Sequence, residues 1–366
     1  MWYNSQPMDR LFLSSAYLPF VAWWVLVLAF VWPCKIRRWG KAILIAFFFV
    51  ALMIFRGFAL FGSSIWRPEL PEMLIWFWCI AFFGSLLLSV ASTLCIFWRS
   101  WIKFILLPVA CFAIAATGVW NGVKIPDVQT IELHDKNLPT DLDGYRIVQI
   151  SDIHACGAAR RWRTEGIVKK ANALIADLIC LTGDQTDGTI AQRYRDIEPL
   201  RDLRAKDGIF AITGNHEYFY DMDEWRPIYR RLGIRLLENE CAFPRPSLTL
   251  GGVNAFNAKA PDAPDVAKSF AAATNGEYRI LLQHRPNPAL ENFTTHRVNL
   301  QLSGHTHGGF MPILSKFIRD DHAGYLRGVY PIHNGNLIVS PGCGPWPALP
   351  LRYFDPAQIL LIILRR

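Results

Sequence analysis

Apolar residues are concentrated in the first third of the chain, where they form four long runs. These runs extend approximately over Tyr17–Trp32, Ala42–Phe61, Met73–Trp98 and Ile102–Val119. A helix needs roughly 20 apolar residues to cross the ~30 Å hydrocarbon core of a bilayer, and each run is near or above that length. The sequence therefore predicts an N-terminal membrane region of about four transmembrane helices, comprising residues 1–122.

Beyond Pro126 the pattern changes to short β-rich runs that alternate with helix-like stretches, which is typical of a layered α/β domain. The predicted strands are Tyr145–Ser151, Asp177–Thr182, Gly208–Thr213, Ser247–Phe256, Tyr278–Gln283, Val298–Ser303 and Asn336–Ser340. The predicted helices include Thr164–Ala176, Ala191–Arg204 and Asp223–Leu232. Residues 123–366 are thus expected to form one soluble domain.

The net charge of +8 would suit a nucleic-acid partner, but much of the excess flanks the apolar runs. The loops after the first and third runs carry Lys35, Arg37, Arg38, Lys41, Arg99 and Lys103, against Arg10, Arg67 and Lys124 on the other side. Basic loops stay in the cytoplasm, so we expect a multi-pass protein of the cell membrane whose large domain is extracytoplasmic. Nucleic acid is not expected as substrate, because no zinc finger, RRM or basic helical arm is visible.

Two further features bear on the class of protein. Arg56 lies inside the second run, and either helix packing or an anionic headgroup would satisfy it; the runs contain no comparable carboxylate, which argues against a proton-coupled transporter. None of the eight cysteines forms a CxxC pair, so no structural zinc site is indicated. One disulfide remains open among Cys156, Cys180, Cys241 and Cys343.

Five short motifs lie at or just after the ends of predicted strands. They are Asp152-Ile153-His154, Gly183-Asp184, Gly214-Asn215-His216-Glu217, Gln283-His284 and Gly304-His305-Thr306-His307-Gly308. In open α/β sheets, residues that follow strand ends converge on one edge. Carboxylate, amide and imidazole groups suit divalent metals such as Mn, Fe and Zn. The seven donors are enough for two ions that share a carboxylate, the arrangement used for in-line displacement at phosphorus; they are Asp152, His154, Asp184, Asn215, His284, His305 and His307.

In the order and content of these motifs the chain resembles the calcineurin-like metallophosphoesterase superfamily, and its apolar front end resembles the membrane-anchored branch. The resemblance covers the chain from about Tyr145 onward and implies a four-layer sandwich, with two packed β-sheets flanked by helices. It implies that Asp152, His154 and His307 bind one ion, that Asn215, His284 and His305 bind the other, and that Asp184 bridges them. It makes His216 the catalytic histidine and lets Glu217 orient that imidazole or act through the second shell.

The expected function is therefore hydrolysis of phosphodiester or pyrophosphate bonds with two divalent ions, manganese first and zinc, iron or magnesium as alternatives. A membrane anchor favours a membrane-associated or lipid-linked phosphorylated substrate. The alternative is a membrane sensor or scaffold that binds a phosphorylated ligand without turnover.

Several residues near the motifs keep two interpretations. Arg285 is a phosphate clamp or a surface residue, Asp187 caps a loop or makes a second-shell bond, and Cys156 is a loop residue or an extra ligand. The run Arg160–Arg163 binds an anionic headgroup or begins a solvated helix. His134, His296, His322 and His333 lack ligand spacing and are expected to be surface or packing residues.

Overall fold

The computed structural model describes residues 18–60, 70–97, 101–259, 261–274, 277–346 and 350–366, and only the backbone of residues 54–60. Outside the described part lie the side chain of Arg56 and three of the basic residues that flank the apolar runs, Arg10, Arg67 and Arg99. The chain divides into two compact units, Met1–Trp120 and Asn121–Arg366.

The first unit is helical. Its helices are α1 (Leu18–Val25), continued by a π-helical segment (Leu26–Val31), α2 (Arg38–Leu60), α3 (Glu72–Leu94) and α4 (Lys103–Val123), of which α4 extends across the unit boundary. In the described residues, α3 and α4 are long and apolar enough to cross a membrane, and Leu18–Val31 forms a shorter apolar helix. The structure thus supports two membrane-spanning candidates, and the count of four stays a prediction.

Small residues let the helices of the first unit approach closely. Ala81, Gly84, Ser85 and Ser92 are buried along one face of α3. A Cβ on Gly84 would lie 2.7 Å from the ring of Phe112 in α4. Small residues at helix contacts are typical of membrane bundles, where close van der Waals packing replaces the hydrophobic effect.

The second unit contains two six-stranded mixed sheets. Their strands are β1 (Asp127–His134), β2 (Arg146–Ile150), β3 (Leu178–Thr182), β4 (Ile209–Ile212), β5 (Arg235–Leu236), β6 (Glu240–Arg245), β7 (Leu248–Gly252), β8 (Tyr278–Leu282), β9 (Leu300–Ser303), β10 (Gly328–Ile332), β11 (Gly335–Val339) and β12 (Gln358–Arg365). The first sheet has the order β1-β12-β2-β3-β4-β5 and the second β10-β11-β9-β8-β7-β6. The run from β2 to β5 is parallel, as is the run from β7 through β8 and β9 to β11.

The sheets pack face to face because their central strands are apolar on both sides. Along β3, Cys180 contributes to the core between the sheets, whereas Ile179 and Leu181 face the helices outside. From the second sheet, Ile280 and Leu302 complete the inner core. Side chains of a strand alternate between its two faces, so a continuous apolar run predicts a strand covered on both.

Helices cover the outer face of each sheet. The helices of this unit are α5 (Arg161–Ala173), α6 (Ile190–Ile197), α7 (Asn215–Phe219), α8 (Met222–Arg231), α9 (Val266–Ser269), α10 (Ala289–Thr295) and α11 (Pro312–Asp321). Ile167 of α5 and Trp225 of α8 pack on the first sheet, and Phe293 of α10 packs on the second. The prediction of a four-layer α/β sandwich is confirmed for this unit.

Two predicted boundaries are wrong for local reasons. The helix expected over Ala191–Arg204 ends as an α-helix at Ile197, and Glu198–Asp202 continues as a 3₁₀ helix with Pro199 in its first turn. Proline has no N–H to donate to the preceding turn. The strand expected over Ser247–Phe256 ends at Gly252, where the chain turns into a loop.

Candidate metal centre

The five motifs follow the ends of β2, β3 and β4 in the first sheet and of β8 and β9 in the second. A side chain on β2 links these ends across the core. Nε2 of Gln149 donates to Oγ1 of Thr182 at 3.0 Å and to the carbonyl oxygen of Ser303 at 2.9 Å. The strand ends of the two sheets, and the motifs that follow them, therefore lie close together.

Asp152, His154 and His307 form a first donor group, and all three are buried. Nε2 of His307 lies 3.0 Å from Nε2 of His154 and 3.4 Å from Oδ1 of Asp152. Nε2 of His154 lies 3.8 Å from the same carboxylate oxygen. Three donor atoms thus surround one point.

Asp184, His284 and His305 form a second donor group. Nε2 of His284 lies 3.1 Å from Oδ2 of Asp184 and 3.2 Å from Nδ1 of His305. The same oxygen of Asp184 is 3.7 Å from Nε2 of His154 in the first group. The Asp184 carboxylate therefore lies between the two groups.

These spacings fit divalent cations. Ligand atoms about 2.0–2.1 Å from a tetrahedral or octahedral ion lie roughly 2.8–3.4 Å from one another. Four donor pairs in the two groups are separated by 3.0, 3.1, 3.2 and 3.4 Å. The donors are oxygen and nitrogen atoms with no thiolate among them, the set that borderline and hard ions prefer.

Asn215 begins α7 and is 6% exposed. Its Oδ1 is buried and has no hydrogen-bond partner in the part of the chain that the structure describes. A buried carbonyl oxygen without a partner is costly. The atom is thus available to an ion or to an ordered water.

The backbone at this site is strained. Asp152, His154, Asp184, His305 and His307 all have positive φ values, between 45° and 71°. Residues other than glycine avoid this region, and such strain concentrates at functional sites. The sharp turns after the strands direct these five side chains to one place.

Glycines admit the close approach of the motifs. Gly183 has φ +92°, and a Cβ there would lie 2.7 Å from both Nδ1 of His284 and the backbone nitrogen of Gly214. A Cβ on Gly304 would clash with the side chains of Ser151 and Asp152. Gly183 and Gly304 are therefore required by the packing around the donors.

His216 is anchored at two points beside both donor groups. Its backbone N–H donates to Oδ1 of Asp184 at 2.8 Å, and its Nδ1 lies 2.6 Å from Oδ1 of Asp187. Its ring centroid is 4.7 Å from that of His154. Burial lowers the pKa of His216, but the carboxylates of Asp184 and Asp187 outweigh burial and raise the pKa to about 9.

Of the two roles that the sequence left open for Glu217, the structure shows outer contacts and not contact with the imidazole of His216. Its carboxylate accepts hydrogen bonds from the backbone N–H groups of Asp184, Gln185 and Gly214, at 2.6–3.1 Å, and from the hydroxyl of Tyr229 at 3.0 Å. It therefore fastens the β3 and β4 turns to each other. Asp187, not Glu217, contacts the imidazole of His216.

Three of the histidines have their second ring nitrogen engaged. Nδ1 of His154 bonds Oδ1 of Asp187 at 2.9 Å, and Nδ1 of His284 donates to the carbonyl oxygen of Thr182 at 2.7 Å. Nη2 of Arg352, which is fully buried, lies 3.0 Å from Nδ1 of His307. Such outer partners orient metal-binding histidines. Sequence reasoning weighed Asp187 and missed Arg352, which no motif spacing marks.

Comparison with known proteins agrees with this arrangement. Residues 145–309 match the model of the calcineurin-like phosphoesterase family. The chain is 30% identical over 268 residues to a transmembrane protein with metallophosphoesterase domain from Danio rerio, covering 69% of this chain and 60% of the relative. Residues 145–309 form a calcineurin-like phosphoesterase domain.

Other superfamily members show the same similarity. An uncharacterized metallophosphoesterase from Helicobacter pylori is 29% identical over 256 residues, covering 68% of this chain and 66% of the relative. A transmembrane protein with metallophosphoesterase domain from Bos taurus is 28% identical over 272 residues, covering 69% and 60%. The chain thus spans 60–66% of the length of these three relatives. The match to the calcineurin-like phosphoesterase family lies within the second unit, over residues 145–309.

The structure shows the contacts and burial of several residues near the donor groups that the sequence left with two interpretations. Nη2 of Arg285 pairs with Oδ2 of Asp321 at 2.9 Å, and its guanidinium lies 4.7 Å from the ring centre of Phe256. Arg163 is buried, and burial lowers its pKa to about 10, so the run from Arg160 is not uniformly a solvated helix start. All eight cysteines, including buried Cys156, are free thiols. His322 is buried beside His305 instead of on the surface.

Proposed function

We propose that this protein is a membrane-anchored phosphoesterase that uses two divalent ions to hydrolyse a phosphodiester or pyrophosphate bond in a membrane-associated or lipid-linked substrate. The observation that carries the proposal is the position of Asp184 between two groups of donors. One carboxylate that both groups share is what a pair of adjacent ions requires.

The donors divide naturally into two sites. Asp152, His154 and His307 would hold the first ion, and His284, His305 and the unpartnered Oδ1 of Asn215 would hold the second. Asp184 would bridge them. Manganese is our first expectation, since carboxylate and amide oxygens suit it; zinc and iron, which imidazole suits, and magnesium are the alternatives.

The chemistry follows from the charges around the reacting phosphorus. A pair of bound divalent ions supplies positive charge and lowers the pKa of water toward neutrality. His216 lies at the edge of both donor groups, and Asp187 and Asp184 fix its ring and backbone. In its protonated form it can donate a hydrogen bond to a phosphoryl oxygen or a proton to the leaving oxygen.

The membrane region supports a substrate at the bilayer. Two described helices have the length and hydropathy of membrane spans, and we propose four spans in all, with the catalytic unit outside the cytoplasm. Tethering raises the local concentration of the enzyme at the bilayer surface. A phosphorylated lipid or lipid-linked precursor gains most from that arrangement.

Hydrolysis of bis(p-nitrophenyl) phosphate by the purified full-length protein with added Mn²⁺ tests the enzymatic proposal. Asp184→Asn should lower the rate at least about 100-fold, whereas Asp202→Asn, whose side chain is 66% exposed, should leave it unchanged. Equal rates in the unsubstituted protein and Asp184→Asn would refute the assignment. Tight binding of the ester without any turnover would favour the alternative of a sensor or scaffold.

A further inference from the structure

His322 lies against the second donor group although its sequence position gives no ligand spacing. It follows directly after α11, is 6% exposed and is surrounded by protein. Its ring centroid lies 5.1 Å from that of His305, with an angle of 57° between the planes. The second donor group therefore has a third histidine ring beside its two proposed ligand histidines, His284 and His305.

The hydrogen bonds of His322 define its tautomer. Nδ1 lies 2.6 Å from the carbonyl oxygen of Ile318, which can only accept, so Nδ1 carries a proton. A neutral imidazole carries one proton, which here is on Nδ1. Nε2 then presents a lone pair, and this buried atom has no hydrogen-bond partner among the described residues. A buried acceptor left unpaired costs about 1–3 kcal/mol.

His305 has the complementary need. Its Nδ1 faces Nε2 of His284 at 3.2 Å, so Nδ1 is the nitrogen that the second donor group uses. If Nδ1 provides its lone pair, the proton of the neutral ring is on Nε2. No hydrogen bond to that nitrogen occurs within the described part of the chain. By contrast, His154 and His284 each have a fixed partner for their second nitrogen.

We propose that His322 is a positioning residue whose Nε2 accepts the Nε2–H of His305 when a cation occupies the second donor group. This bond would fix the His305 tautomer with Nδ1 free to bind, and would give the buried Nε2 of His322 the partner that it lacks among the described residues. A metal-binding histidine regularly donates its other N–H to an acceptor, and loss of that acceptor typically weakens metal binding 10–100-fold. The inference rests on the proposed function, since it assigns His305 to the second ion.

Mn²⁺ titration of the full-length protein in detergent micelles, followed by electron paramagnetic resonance, tests this proposal without reference to turnover. Two Mn²⁺ ions about 3.5–4 Å apart give an exchange-coupled spectrum that differs from that of a single ion. His322→Phe keeps an aromatic ring but removes the acceptor, and His322→Gln restores an acceptor oxygen. His134→Phe, at an exposed histidine of β1, is the matched control.

We expect His322→Phe to bind the first Mn²⁺ normally and to weaken the second about 10–100-fold, so that the coupled spectrum appears only at much higher Mn²⁺. His322→Gln should recover most of that affinity, and His134→Phe should match the unsubstituted protein. Equal affinity for both ions in His322→Phe would overturn the proposal. Equal weakening of both ions, unrescued by His322→Gln, would identify His322 as a packing residue and would also overturn it. A coupled spectrum absent from the unsubstituted protein would instead contradict the proposed function.

Discussion

Nδ1 of His216 lies 2.6 Å from Oδ1 of Asp187, and this contact places a buried carboxylate behind the histidine closest to both donor groups. The same carboxylate oxygen also lies 2.9 Å from Nδ1 of His154. Asp187 thus couples a proposed metal ligand to the proposed catalytic histidine. Sequence spacing predicts neither of these two contacts of Asp187.

Asp187→Asn should separate catalysis from metal binding. The amide oxygen can still accept from His154, but the negative charge that stabilises protonated His216 is lost. We expect kcat to fall about 10–100-fold at saturating Mn²⁺, with a KM change of about threefold or less and the same metal content. Steady-state kinetics and elemental analysis check this. A kcat within twofold of the unsubstituted protein would show that Asp187 does not support His216.

Gly183→Ala should abolish activity because the added methyl group would clash with His284, in addition to the strain of its positive φ. Gly233 is the matched control, since it also has positive φ, +76°, but a Cβ there would meet nothing within 4 Å. We expect Gly233→Ala to cost about 1 kcal/mol through backbone strain and to remain active. Gly183→Ala adds the contact with His284 and should lose at least about 100-fold in rate. Similar losses in both variants would contradict the role assigned to His284.

Arg352 should be a major determinant of stability. Its guanidinium donates to the carbonyl oxygens of Pro341, Gly344, His307 and Asp355. Its Nη2 also lies 3.0 Å from Nδ1 of His307. Arg352→Met leaves these acceptors without a donor in the interior, which we expect to cost about 3–5 kcal/mol. Thermal unfolding in detergent should show a Tm lower by about 5 °C or more. An unchanged Tm would mean that water replaces the guanidinium without cost.

The proposed topology predicts the location of the C-terminus. A reporter that is active only outside the cytoplasm, fused after Arg366, should be active, and the same reporter inserted near Arg38 should be silent. The basic loops after the first and third apolar runs are the physical reason. The reverse pattern of activity would place the catalytic unit in the cytoplasm and exclude an extracytoplasmic substrate.

The sequence marks candidate donors because metal chemistry restricts residue types, and the strands that carry them are apolar on both faces. The structure brings six of the seven predicted ligands into two groups, and Asn215 is buried near the end of β4. The edge strand β1 was missed because its burial is slight, with Leu133 its one buried residue. Strand β12, of which six of eight residues are buried, is not among the predicted strands.

Outer contacts were beyond sequence reasoning. Arg352 and His307 are in contact although they are 45 positions apart. His322, at the end of α11, packs against His305, which precedes that helix. No short-range pattern marks either residue, because only tertiary packing brings them to the site. Glu217 shows the converse: its place in a motif suggested a contact with the adjacent imidazole, while the fold uses it to fasten backbone amides.

Anomalous X-ray scattering from crystals of the Mn²⁺-loaded protein tests the central claim most directly. The account predicts two peaks about 3.5–4 Å apart, with the carboxylate of Asp184 in contact with both, Asp152, His154 and His307 around one, and Asn215, His284 and His305 around the other. A single peak, or two peaks of which only one touches Asp184, would contradict it.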